Sequence, residues 1–161
     1  MLGFLRDSND SKSVIDVFDH LEDLLGLETF SKLFAVIKTD NGTEFSNPSA
    51  LETGKNGSSR CHAFYCDPGH SEQKGSCEKN HEEFRKILPK GTSMDDLCQD
   101  DILLAFSHIN SYKRKKLNFK SPFEVFSFLY GQDILDQFGI RFVCADDVIL
   151  KPSLLQKGGD Q

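Results

Sequence analysis

Leu33-Phe34-Ala35-Val36-Ile37-Lys38-Thr39-Asp40-Asn41-Gly42 decides how this chain is read. The apolar run Leu33 to Ile37 is unbroken, the mark of a strand buried on both faces. Asp40 stands where that strand emerges, and Asn41-Gly42 turns the chain away at once. Ligands of open α/β sheets gather at the carboxyl ends of strands, so Asp40 is a candidate site carboxylate. Taken alone, Asp-Asn-Gly also serves as a plain turn.

Working outward, Met1 to Arg6 is a short apolar run that reads as a strand. Ser8-Asn9-Asp10-Ser11 is a helix-start cluster. Val14, Ile15, Phe18, Leu21, Leu24 and Leu25 then recur at helical spacing, and Gly26 ends the element. A short turn covers Glu28 to Lys32. Beyond the central strand, residues 53 to 60 (TGKNGSSR) read as a mobile polar loop, and His62 to Cys66 as a third strand. Residues 73 to 88 run at helical period until Pro89-Lys90-Gly91 stops them. Asp100 to Ser111 is a further helix. Pro122 opens another in its first turn, and Gly131 and Gly139 bracket a last short one. Strand, helix, strand, strand, then helices is an α/β pattern. Three short strands make a thin sheet, which predicts that neighbouring strands are missing.

Composition narrows the class. The 161 residues include 14 Phe and no Trp, so Phe, Leu and Ile must fill the core. No run is long enough for a membrane span, and the first residues lack the features of a signal peptide. These features point to a soluble intracellular protein. The five cysteines are an odd number, which argues against a disulfide framework. Cys61, His62 and Cys66 lie close together, but no second ligand pair follows at zinc spacing, so partly buried thiols are the better reading. The net charge of −6 is unlike a nucleic-acid protein. The charge is uneven, however. Residues 7 to 28 are acid-rich, whereas Lys113, Arg114, Lys115, Lys116 and Lys120 form a stretch without acids.

Glu78 lies in the first half of the 73 to 88 helix. A lone helical glutamate is ordinarily solvated. A strand-end Asp and a helix Glu can, however, converge on one metal cluster, the arrangement phosphodiester chemistry favours. Mg²⁺ takes hard carboxylate oxygens and keeps waters that a phosphate can displace. Two carboxylates are few for two ions, so a third is needed. Glu82 and Arg85 share the face of Glu78, four and seven residues on. Arg85 is a candidate phosphate contact, and so is Lys74 in the approach to the helix.

Ile37-Lys38-Thr39-Asp40-Asn41-Gly42-Thr43-Glu44-Phe45 resembles the second-aspartate motif of DDE transposases, whose core is ribonuclease-H-like. Tyr65-Cys66-Asp67-Pro68, Gln73-Lys74-Gly75 and Glu78-Lys79-Asn80-His81 resemble the segment carrying the catalytic glutamate. Leu88 to Thr92 resembles that segment's helix exit, and Asn110, Arg114-Lys115, Leu117 and Lys120 to Phe126 resemble the family's segment beyond it. The order and spacing are similar to the insertion-sequence-thirty family of bacterial transposases. The resemblance implies an incomplete ribonuclease-H-like integrase core over residues 1–130, with its first strands missing, followed by a C-terminal helix and tail over 131–161. It implies DNA cleavage and strand transfer on Mg²⁺ or Mn²⁺, with Asp40 and Glu78 as catalytic metal ligands and Asp67 as an outer-sphere candidate.

The family's first aspartate has no counterpart here. Asp7, Asp10, Asp16 and Asp19 lie in the turn or on the helix after the opening run, and none has the right place. The resemblance puts that aspartate, and the helix-turn-helix that reads transposon ends, upstream of Met1. The expectation is therefore a transposase part inactive by itself. DNA at transposon ends and targets, and full-length transposase, are its partners, in the nucleoid of a bacterial cytoplasm. Lys74, Arg85, Lys113, Arg114, Lys115 and Lys116 are the expected DNA contacts. The alternative is a non-catalytic remnant that binds DNA or pairs with transposase.

Overall fold

Asp10 accepts a hydrogen bond from the Ser13 backbone N–H at 2.7 Å and so caps α1, Ser11–Leu25. The computed structural model in which this is seen describes residues 1–67 and 75–155, with the backbone alone for 75–78. Gly26 ends α1 and opens α2, Leu27–Leu33. Strand β1, Val36–Thr39, comes next. Asn47 caps α3, Pro48–Glu52, whose proline sits in the first turn, and β2 is His62–Tyr65. The remaining helices are α4 (Gly75–Ile87), α5 (Gln99–Ser111), α6 (Pro122–Tyr130) and α7 (Gln132–Gln137). The class is mixed α/β, mostly helical.

The chain divides into two compact units. The sheet unit is Arg6–Gly75, and the helical unit joins Met1–Leu5 to Ser76–Gln161. In the sheet unit β1 and β2 pair in parallel, with Val36 opposite His62 and Thr39 opposite Tyr65. A parallel pair needs a crossover, and here it carries α3. Val14, Leu21, Phe30, Leu51, Cys61 and Cys66 are buried. The Phe30 ring lies 6.1 Å from that of Phe18 and 5.1 Å from that of Phe34.

The helical unit is organised on α5. Ile102, Ala105, Phe106 and Ile109 are buried along it, and the Phe106 ring stacks on Phe84 of α4 at 5.2 Å. Its polar side chains are used on the backbone of the segment after α7. Ser107 Oγ accepts from Arg141 N, Ser111 Oγ from Val143 N and His108 Nδ1 from Ile149 N, at 2.9–3.0 Å. Burial holds the His108 pKa below the usual histidine value, with Asp147 opposing. Ser121, fully buried, caps α6 in a reciprocal box with Glu124.

Three expectations are corrected. Met1 to Arg6 is not a strand. Its backbone groups are met by side chains of α5 instead of a ladder: Asn110 Nδ2 donates to Met1 O at 2.8 Å, Gln99 Nε2 to Gly3 O at 2.9 Å, and Leu5 N to Gln99 Oε1 at 3.0 Å. A Cβ on Gly3 would stand 2.0 Å from the Phe106 ring, so glycine is required there. The central run is not a strand buried on both faces. Leu33 belongs to α2, and Val36 is 61% exposed in a sheet that has two strands among the described residues. Segment 53 to 60 is a closed hairpin, with Thr53 bridged to Ser59 and Gly54 N donating to Ser58 O at 2.8 Å. A Cβ on Gly54 would come within 2.5 Å of Glu22 Oε1.

Candidate metal centre and nucleic-acid surface

Asp40 leaves β1 directly after buried Thr39 and is exposed, at the carboxyl end of the parallel pair. Two contacts fix the turn it begins. Cys66 N donates to Thr39 O at 2.8 Å, and Asn41 Nδ2 donates to Cys66 O at 3.1 Å. The Asn41 amide therefore ties the exit of β1 to the exit of β2. Tyr65 Oη donates to Phe45 O, holding the short helical turn Thr43–Phe45 over the same edge. Asp67 comes directly after Cys66 and is also exposed at this edge. The sheet thus delivers two carboxylates to one end, as expected of parallel strands.

Glu78 lies within α4, and its side chain is outside the described residues. Lys74 lies outside them altogether. Asp40 belongs to the sheet unit and Glu78 to the helical unit. Carboxylate oxygens suit Mg²⁺ or Mn²⁺ in kind. Among the described residues, no group of three His, Cys, Asp or Glu side chains forms a ligand set. Asp40 offers a carboxylate of this hard-donor kind, exposed at the strand exit. Cys61 and Cys66 are buried thiols, with Cys61 Sγ donating to Leu51 O at 3.3 Å.

Arg85 is exposed in the last turn of α4. Lys113, Lys115 and Lys116 are exposed between α5 and α6. Arg114 differs from them, being half-buried with Nη1 donating to Asn80 Oδ1 of α4 at 3.1 Å. Its Nη2 is buried without a hydrogen-bond partner among the described residues. The loop is closed on itself. Arg114 and Lys120 form an antiparallel bridge, and Phe119 N donates to Arg114 O at 3.1 Å. Asn118 (φ 52°) and Phe119 (φ 60°) are the described non-glycine residues with left-handed backbone. That conformation costs about 1–2 kcal/mol per residue.

Arg60 is not recognisable in the sequence because it ends a polar, glycine-rich stretch. It is only 1% exposed. Its Nε donates to Leu51 O at 2.8 Å, Nη2 to Ala50 O at 3.0 Å, and Nη1 to Asp19 Oδ1 at 2.6 Å and Glu22 Oε2 at 3.0 Å. The guanidinium also sits 5.8 Å from the Phe18 ring centre and 5.7 Å from that of Phe30. It binds α3 to α1 just before β2 begins, at the end of the parallel pair opposite Asp40 and Asp67. The signal available is Asp19 and Glu22 three residues apart on α1, a pair that faces one partner.

Comparison with known proteins places these features in context. The chain is similar to bacterial insertion-sequence transposases. It is 30% identical to the transposase for insertion sequence element IS1086 of Cupriavidus metallidurans over 86 residues, 53% of this chain and 24% of that protein. It is 25% identical to the IS4351 transposase of Bacteroides fragilis over 107 residues, 66% of this chain and 32% of that one. It is 32% identical to transposase InsI of element IS30A of Escherichia coli over 62 residues, 38% of this chain and 16% of that one. The chain thus spans a third or less of the transposases it matches. No family model matches the chain, and no solved structure does. Among the described residues, no helix of this transposase-like chain is long and apolar enough to cross a membrane.

Proposed function

We propose that this chain serves DNA transposition as part of a metal-dependent transposase core with a ribonuclease-H-like plan. The observation that carries the reading is Asp40, fixed by Asn41 at the carboxyl edge of a parallel pair. Similarity to insertion-sequence transposases supports it. Asp40 and Glu78 would hold Mg²⁺ or Mn²⁺, which when bound supplies Lewis-acid stabilisation of charge on phosphate oxygens. Asp67, exposed at the same edge, is an outer-sphere candidate, although an Asp before Pro68 also serves as a plain turn. Lys113, Lys115 and Lys116 bind DNA phosphates, with Arg85 of α4 and Lys74 as further contacts. Arg114 acts differently, bracing the basic loop against α4 through Asn80.

Two carboxylates are few for two ions, so the 161 residues alone bind DNA without joining strands, and act with full-length transposase in the nucleoid. The test incubates the pure chain with Mg²⁺, a labelled oligonucleotide and plasmid DNA. Salt-sensitive DNA binding without joined product is expected. Mg²⁺-dependent joining by the chain alone would overturn the inactivity. A second reading, a DNA-binding remnant without metal chemistry, draws on the basic loop, which lies on an element apart from Asp40. DNA binding unchanged by Asp40→Asn, with no metal uptake, would favour it.

A further inference from the structure

A lone exposed phenylalanine is ordinary on a protein surface. Phe119 is set apart by three observations taken together. It is 66% exposed, although a Phe-rich chain has a core to receive it. It holds φ 60° directly after Asn118 at φ 52°, a conformation bulky residues avoid. And it is flanked by Lys113, Lys115, Lys116 and Lys120, all exposed and without an acid between them.

The loop that presents it is rigid by construction. Tyr112 N donates to His108 O at 3.1 Å at the end of α5, and Ser121, buried, begins the α6 cap. Between them Leu117 N and Phe119 N both donate to Arg114 O, Asn118 N to Lys115 O, and Arg114 N to Lys120 O, all at 2.9–3.1 Å. These bonds fix the left-handed pair and hold the ring outward. Strain of this kind persists only where the surroundings over-determine it, and it gathers at binding sites. A rigid exposed aromatic on a loop of exposed lysines matches one chemistry closely: a nucleotide whose base stacks on the ring while lysines neutralise the phosphates of its strand.

We propose that Phe119 stacks on an unpaired base of bound DNA, making the 113–120 loop a reader of unstacked strand. The lysines alone would hold only backbone. The inference rests on the DNA-binding reading above and deepens it.

The test measures binding of fluorescein-labelled (dT)₂₀ and of a 20-base-pair duplex by anisotropy across a salt series. Phe119→Ala weakens (dT)₂₀ binding about five- to 150-fold, the range for losing one base–aromatic stack, and leaves the salt slope unchanged. The duplex is weakened less. Lys115→Glu with Lys116→Glu flattens the slope by about 1.4 for single strand instead. Phe119→Trp introduces the chain's sole tryptophan, keeps the affinity and shows quenched emission on (dT)₂₀. Phe119→Gly relieves the backbone and raises the melting temperature while binding falls. A purely structural Phe119 would move stability and binding down together, and that result overturns the proposal. Wild-type affinity in Phe119→Ala, with the lysine variant impaired, overturns the stacking and leaves the DNA reading standing. No binding by the wild type at low salt overturns both.

Discussion

Replacing Arg60 by Met tests how a buried charge cluster holds α1 and α3 of the sheet unit together. Methionine fills similar space but removes the charge and the donors. Glu22, buried beside it, then loses the guanidinium that neutralises it, as does Asp19. The Ala50 carbonyl loses its Nη2 donor, while Leu51 O loses Nε and retains the Cys61 thiol. Breaking a buried ion pair from one side costs about 3–5 kcal/mol. Whole domains hold about 5–15 kcal/mol, so the variant gives up a large share. With a urea slope near 2 kcal/mol/M, the midpoint falls by roughly 2 M. Adding Glu22→Gln removes the stranded charge and restores part of the loss. The assay is urea unfolding followed by far-ultraviolet circular dichroism. A midpoint within about 0.5 M of wild type for Arg60→Met, or no recovery on adding Glu22→Gln, would refute the reasoning.

Other perturbations act on single contacts. Gly3→Ala drives a methyl into the Phe106 ring, itself stacked on Phe84, and lowers stability by about 1–3 kcal/mol in thermal unfolding. Asn41→Ala removes the tie to Cys66 O and costs only about 1 kcal/mol of fold stability. It loosens the Asp40 turn, so Mn²⁺ affinity drops several-fold in titration while the circular dichroism spectrum is retained. His108 has a folded pKa below its unfolded value, so the unfolded chain binds the extra proton. Its contribution is full above the unfolded pKa near 6.5 and is lost as pH falls toward the folded value. His108→Gln therefore flattens the melting temperature between pH 7 and 5.

Elements with strong local signals are legible in the sequence. Asp10, Gly26, Pro122 and the two glycines around α7 mark helix limits that the structure keeps, because capping is decided within a few residues. The run at Met1 misleads because an apolar stretch of that length carries no record of its partner. Here the partner is α5, through Gln99 and Asn110, more than ninety positions along the chain. The exposure of β1 is hidden for a similar reason: burial depends on neighbouring strands, and among the described residues β2 is the one beside it. Arg60 is hidden because its partners lie on α1, some forty residues earlier. Asp40 can be placed at a strand exit from the turn it begins, whereas the role of Asn41 requires knowing that β2 ends alongside. The basic loop is visible as composition, but the outward Phe119 is not, since left-handed backbone at a phenylalanine runs against its local preference.

The proposal that Asp40 and Glu78 are each metal ligands carries the functional reading. Its most direct test is Mn²⁺ titration of the intact chain followed by electron paramagnetic resonance, comparing wild type with Asp40→Asn and Glu78→Gln. Each substitution alone is expected to abolish the bound-ion signal while circular dichroism stays unchanged. Mn²⁺ uptake by both variants at wild-type affinity would contradict it.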